Sequence, residues 1–370
     1  MNIVSEALEP PPSSLKYLPQ LDSVRAFAVL LVLWHHWRPQ LRAPGSLGVW
    51  IFFVLSGFLI TRILLKARRD TATENRKSLV NFYIRRFLRI FPLYYFVLIV
   101  SFAVSAVFRI NWYWYASYLQ NFMMIMAGKD DYIFGTHLWS LAVEEQFYVV
   151  WPLIALFAPR IVLLPLILLS IALAVATRYY CTHIGWSTFE VYIFTPASLD
   201  TLGCGALLAY FVTYRPKQVV WLRWISLAIG VGIVGASLLF KFRVGSTGML
   251  PLIMGLGSLW LVSIASDGVP GRLGQLISLA PLIYIGRISY GIYVYHYFVP
   301  IVLEPYFKRY SISPGDPLFL VICFFATMIV ASLSWFLMEK PINELKDKLA
   351  GSPPPSKPKD NLSLNDASAG

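Results

Sequence analysis

Charge is what this chain has least of. Only 14% of its 370 residues are Asp, Glu, Lys or Arg, against 57% hydrophobic residues, whereas a soluble globular domain is about a quarter charged. That shortage excludes an ordinary water-soluble fold. Apolar runs approaching ~20 residues replace it, the length a helix needs to cross the hydrocarbon core. Cysteine is nearly absent: Cys181, Cys204 and Cys323 are odd in number and far apart, which excludes a disulfide framework and a thiolate metal centre. The first twenty residues hold no apolar core, so no cleavable signal peptide is expected and the first span must direct insertion. There is no Walker loop, H-E-x-x-H or C-x-x-C, so no metal and no permanently bound cofactor are expected. Gly230-Val-Gly-Ile-Val-Gly235 has the spacing of a dinucleotide fingerprint. It lies inside an apolar span with no strand before it, so it reads as helix packing.

What is present is hydrophobic, aromatic and basic. Hydropathy predicts an all-α polytopic membrane protein of about ten transmembrane helices, near 22–38, 47–66, 89–108, 138–158, 161–179, 193–213, 220–240, 248–266, 279–302 and 317–337. A membrane unit over 17–342 is flanked by a Pro-rich flexible lead at 1–16 and a disordered tail at 343–370. The aromatic stretch from Trp112 to Met126 is expected at, or re-entering, the membrane surface. The net charge of +12 collects in loops beside apolar spans, which points to topology rather than to nucleic acid. Its densest cluster, from Lys66 to Arg89, joins spans two and three and is placed in the cytoplasm. Lys340, Lys346 and Lys348 agree, and ten spans then leave both termini cytoplasmic.

The first span carries Arg25 and His36. Eleven residues at ~100° each bring His36 to within ~20° of Arg25, with a rise of ~16 Å, while His35 points roughly 80° away. Arg25 alone reads equally well as a snorkelling anchor, and His36 as a helix-end cap. Their shared face, with Asp22 nearby for an i,i+3 pair, favours function. An imidazole can remove a proton from a hydroxyl.

Three further segments carry polar groups into apolar surroundings. Phe82-Tyr-Ile-Arg85-Arg86-Phe-Leu-Arg89 interleaves arginines with aromatics. It reads either as an amphipathic surface helix or as a phosphate clamp, in which Arg85 and Arg89 share a face. His137, Ser140, Glu144, Tyr148 and Trp151 follow 3-4-4-3 spacing and form one stripe. A membrane helix gains little from such a stripe unless it lines a cavity; Glu145 lies beside it and has no cation in its own helix. Gly286-Arg-Ile-Ser-Tyr-Gly291-Ile-Tyr293-Val-Tyr-His296 contains two glycines and predicts a loosened helix, with Tyr293 and His296 placed to order a polar ligand. In span two, Ser56-Gly57 is a small pair that lets another helix approach, with Phe52 and Phe53 as packing. Glu339-Lys340-Pro341 reads as the stop of the last span.

In this order the segments resemble the acyltransferase family 3 integral membrane proteins. The resemblance rests on Leu21-Asp-Ser-Val-Arg25 with His36, Phe52-Phe-Val-Leu-Ser-Gly-Phe-Leu-Ile60, Arg85-Arg-Phe-Leu-Arg-Ile-Phe-Pro-Leu-Tyr94, Trp139-Ser-Leu-Ala-Val-Glu-Glu-Gln-Phe-Tyr148 and Ile288-Ser-Tyr-Gly-Ile-Tyr-Val-Tyr-His296, and covers about 17–342. It implies cytoplasmic acyl-CoA as donor, most often acetyl-CoA, and a carbohydrate hydroxyl as acceptor. It ties Arg25 and His36 to activity, and Arg85, Arg86 and Arg89 to CoA. The chain departs from the family pattern at Trp50, where an acidic residue is common, and at Ser198, where an arginine often precedes the aspartate matching Asp200. Relatives often carry a fused periplasmic esterase-like domain that completes transfer; this chain is expected to act alone or to pass its acyl group to a separate partner.

The sequence therefore predicts an acyl-CoA-dependent O-acyltransferase of the bacterial inner membrane. Its expected catalytic residues are His36, Glu144 and Arg25, with Glu144 orienting the His36 imidazole. Its expected donor-binding residues are Arg85, Arg86, Arg89 and Arg25, and its expected acceptor-binding residues are Glu145, Ser56, Tyr293, His296 and His137. His36 serves either as general base or as transient acyl carrier. The rival is a transporter or flippase that uses the same buried charges as a pathway.

Overall fold

The computed structural model describes residues 17–38, 45–128, 135–240 and 248–349. The expected lead at 1–16 and the tail from 350 lie outside them. Among the described residues there are helices and no strands: α1 Pro19–Trp37, α2 Gly45–Ala67, α3 Ala72–Val104, α4 Ala106–Ala116, α5 Gln120–Ala127, α6 Trp139–Phe157, α7 Arg160–His183, α8 Thr188–Ile193, α9 Leu199–Tyr214, α10 Val219–Leu239, α11 Leu250–Asp267, α12 Gly271–Ile277, α13 Ala280–Arg287, α14 Ser289–Tyr295, α15 Phe298–Arg309, α16 Pro317–Ser334 and α17 Lys340–Leu349. Seven helical segments are long and apolar enough to cross a membrane, at Ser46–Ala67, Ala72–Val104, Thr136–Phe157, Arg160–His183, Pro216–Leu239, Leu250–Asp267 and Pro317–Leu345. The chain is a multi-pass membrane protein.

The other three expected spans are the polar or broken ones. Helix α1 carries Asp22, Arg25, His35 and His36 within its nineteen residues. The span expected at 193–213 divides into the end of α8, a 3-10 turn at Thr195–Ser198 and α9. The span expected at 279–302 divides into α13, α14 and α15, with breaks at Ile288 and at 296–297. One of the glycines of this unit is fixed by packing. A Cβ on Gly286 would stand 1.8 Å from the Asp22 carbonyl oxygen, so α13 reaches α1 only through a residue without a side chain.

Helix α3 begins at Ala72, seventeen residues before the expected span, so the arginine segment and the span are one helix. Thr71 caps it, accepting from the Glu74 backbone N–H at 3.3 Å. Pro92 lies inside it without ending it, as neighbouring helices permit in a membrane. The expected stop at Glu339-Lys340-Pro341 does not occur: a π-turn at Trp335–Glu339 leads into α17. Pro341 occupies the first turn of that helix, where a missing N–H costs nothing. Residues 343–349, expected in the tail, are therefore helical.

At the crossing of α2 and α9 the bundle brings backbones together. A Cβ on Gly57 would meet the Leu202 carbonyl at 2.0 Å, and one on Gly205 would meet the Val54 carbonyl at 2.1 Å. Helices α2 and α9 thus cross at their glycines, the small-residue packing expected of Ser56-Gly57. Of the other glycine run, only Gly230 has a neighbouring helix within 4 Å; Gly232 and Gly235 face open space. One fully buried ion pair joins α7 to α9: the Arg178 guanidinium donates to Asp200 at 2.6 Å and to the Gly248 carbonyl at 2.6 Å. Asp200 is thus paired from the neighbouring helix α7.

Candidate active site

A cavity of about 100 Å³ opens between α1, α2, α3, α6 and α14. Arg25, Arg86 and Arg89 wall it together with Glu144 and Glu145. Arg25 is held by an ion pair to Asp22 one turn earlier in α1, and the Tyr17 hydroxyl donates to the same carboxylate at 2.5 Å. Arg86 lies over the Tyr148 ring at 5.1 Å and over the Phe82 ring at 5.8 Å. Among the described residues neither Arg86 nor Arg89 has a hydrogen bond or ion pair, so both forks of N–H donors remain free for a ligand.

The carboxylates differ. Glu144 accepts from Ser56 Oγ at 3.0 Å and from the Tyr148 hydroxyl at 3.0 Å, which fixes α6 against α2. Glu145 has no hydrogen bond or ion pair among the described residues and faces the same cavity. Phe52 and Phe53, expected as packing, also wall it.

The three imidazoles His36, His137 and His296 form a second cluster. The ring centroids of His36 and His296 are 4.9 Å apart, with His296 Nε2 3.3 Å from His36 Nδ1. His137 stands edge-on to His296 at 5.1 Å and stacks on Tyr297 at 4.7 Å. His296 is fully buried, and Trp37 Nε1 donates to its carbonyl at 3.2 Å. His36 opens on a second cavity of about 490 Å³, whose walls include Trp37, Tyr297, Phe307 and the ion-paired Glu304 and Lys308.

A wall of polar side chains separates the two cavities. Tyr293 lines the first. Its hydroxyl donates to the His137 carbonyl at 2.7 Å and meets Ser140 Oγ at 2.5 Å. The Tyr293 ring is 5.5 Å from His296. Arg25 thus faces one cavity and His36 the other, with Tyr293 and His296 between them.

The structure brings Arg25, Ser56, Arg86, Arg89, Glu144, Glu145 and Tyr293 to one cavity, and His36, His137 and His296 to one cluster. Two expected relations fail. Arg85 does not line the cavity; the pair facing it is Arg86 and Arg89, three residues apart rather than four. Glu144 does not stand behind His36, because its carboxylate is held by Ser56 and Tyr148 while His36 is met by His296. The expected stripe is also divided. His137 lies in a 3-10 turn before α6, and Trp151 is buried, donating to Thr61 Oγ1 at 2.7 Å.

Sequence reasoning missed a polar knot that anchors α5. Gln146 Nε2 donates to the Tyr118 carbonyl at 2.7 Å and to Asn121 Oδ1 at 3.0 Å, while Thr195 Oγ1 donates to Gln146 Oε1 at 2.5 Å. Asn121 and Gln146 lie in otherwise apolar segments, and that placement was the available signal. Arg178, near the end of an apolar helix, gave the same signal for the Asp200 pair.

A family model described as an acyltransferase domain matches residues 18–336. O-acetyltransferase OatA of Staphylococcus aureus is 30% identical over 368 residues, covering 90% of this chain and 58% of that protein. Peptidoglycan O-acetyltransferase OatA of Listeria monocytogenes is 30% identical over 366 residues, covering 90% of this chain and 56% of the relative. The chain therefore spans somewhat more than half the length of these curated relatives. No solved structure matches it.

Proposed function

The chain belongs to this acyltransferase family, and on that premise we propose that it is an acyl-CoA-dependent O-acyltransferase of the bacterial cytoplasmic membrane. It moves an acetyl group from cytoplasmic acetyl-CoA to a hydroxyl of a carbohydrate acceptor. The observation that carries this reading is the pair of cavities back to back, one walled by free guanidiniums and the other by an imidazole. Guanidinium forks match phosphate oxygens, so Arg86 and Arg89 hold the CoA phosphates, with Arg25 beside them. The pantetheine arm carries the thioester past Tyr293 toward His36. An acceptor hydroxyl in the second cavity gives its proton to the His36 imidazole. Its oxygen forms a bond to the acyl carbon, the carbon–sulfur bond breaks, and CoA leaves as the thiolate, which takes up a proton.

Ten spans with both termini in the cytoplasm fit this polarity: α1, α9 and the α13–α15 unit complete the seven long helices. The basic turn from Lys66 to Arg76 then lies on the donor side. The aromatic walls Trp37, Tyr297 and Phe307 of the second cavity suit a sugar ring, and the name of the Listeria relative makes peptidoglycan the first acceptor to test. A separate periplasmic transferase that takes over the acyl group is an alternative recipient. In membranes supplied with radiolabelled acetyl-CoA, wild-type protein should label envelope glycan, and His36→Ala at equal expression should lose at least roughly 100-fold of that transfer. Undiminished labelling by His36→Ala refutes the assignment.

A further inference from the structure

We propose that His296 is a positioning residue: it holds His36 in the tautomer protonated at Nδ1, so that Nε2 is the basic atom offered to the acceptor cavity. This rests on the reading of His36 as the base, and it assigns to His296 a role other than contact with the acceptor.

Donor and acceptor counting gives the tautomers. His296 Nδ1 is 2.6 Å from the Tyr293 carbonyl oxygen, which can only accept, so Nδ1 carries the proton. His296 is fully buried, and no carboxylate contacts it among the described residues. A second proton would leave an unpaired cation in the bundle. Its Nε2 is therefore an acceptor. His36 Nδ1 faces that acceptor at 3.3 Å and also the Val32 carbonyl at 3.0 Å. Two acceptors on one ring nitrogen require N–H there, and Nε2 of His36 keeps its lone pair. His137 does not compete for this arrangement, because its Nε2 is committed to the Val294 carbonyl at 3.2 Å.

Two further rings stand edge-on to that of His36, His35 at 5.4 Å and Tyr297 at 6.3 Å. When Nε2 takes the acceptor proton, the imidazolium still donates from Nδ1 to His296, which stabilises the charge as it forms. A catalytic histidine held in the wrong tautomer loses most of its activity.

The chain has five histidines, so ¹⁵N-histidine labelling of the intact protein in lipid nanodiscs yields a resolvable spectrum. The His36 signals are identified by their loss in His36→Ala. The wild-type protein should show His36 with a protonated Nδ1 and a bare Nε2. The opposite tautomer overturns the proposal without any variant at His296. His296→Asn keeps a group at the Nδ1 position for the Tyr293 carbonyl but offers nothing where Nε2 stood. With only the Val32 carbonyl left to accept from Nδ1, a measurable share of His36 should pass to the other tautomer and acetyl transfer should fall in proportion. His296→Gln, whose longer amide reaches the Nε2 position with an acceptor, should recover both readouts to within about threefold of wild type. Retention of the Nδ1–H tautomer in His296→Asn overturns the proposal. If His36→Ala keeps full transfer, the base assignment falls, while the spectrum still decides whether His296 sets the tautomer.

Discussion

Arg86 and Arg89 face the cavity proposed for the donor with their N–H groups uncommitted, and Arg85, one residue away, does not line it. The cluster was legible in the sequence. Which pair faces the cavity was not, because i,i+3 and i,i+4 neighbours both share a helix face, and only the packing of α3 against α6 and α14 selects between them. Removing both guanidiniums should weaken CoA binding at least ~10-fold, since each charge-assisted hydrogen bond contributes about 1.5–3 kcal/mol. Arg85→Ala should leave affinity within about threefold of wild type. Equilibrium binding of CoA to protein in nanodiscs separates the two outcomes. The Glu144 carboxylate was legible as a buried acid, but its partner was not. Helix-by-helix reading could connect it to His36 as readily as to Ser56 and Tyr148, which meet it across α2 and along α6.

Among the elements, the glycine crossing of α2 and α9 positions the arginine-walled cavity, because Ser56 lies on the same turn as Gly57. Gly57→Val should force the helices apart, lowering both the melting temperature and acetyl transfer. Gly232→Ala, where no atom lies within 4 Å, should change neither. The buried Arg178–Asp200 pair that joins α7 to α9 is a second fixed point. Asp200→Ala leaves an uncompensated buried cation and should cost roughly 3–5 kcal/mol of stability, measured as the loss of folded protein on heating in detergent. The seven long helices were readable from hydropathy alone. The division of the ninth expected span into α13, α14 and α15 was not, although its glycines were noted. The reason for Gly286 lies in the Asp22 carbonyl, 264 positions earlier in the chain, and no local pattern reports such a contact.

For the molecule as a whole, the sequence motifs describe a path rather than a single pocket. The guanidiniums of Arg25, Arg86 and Arg89 gather on one side of Tyr293 and the imidazoles on the other. The separation of Arg25 from His36 along α1 was legible as ~16 Å of helical rise. The wall between them was not, because it is built from α6, α14 and the turns beside them. If the chain works across the membrane, labelling of single cysteines at position 74, in the first turn of α3, and at position 311, between α15 and α16, should reach opposite faces of sealed vesicles. Labelling from the same face would remove the proposed topology. The central claim is transfer from one face to the other. It is tested most directly in sealed proteoliposomes with radiolabelled acetyl-CoA offered only on the face that bears position 74 and a glycan acceptor only on the other. Labelled glycan from the wild-type protein, abolished in His36→Ala and in Arg86→Ala/Arg89→Ala, is the predicted result. Labelling that appears only when donor and acceptor share a face, or that survives in His36→Ala, would contradict it.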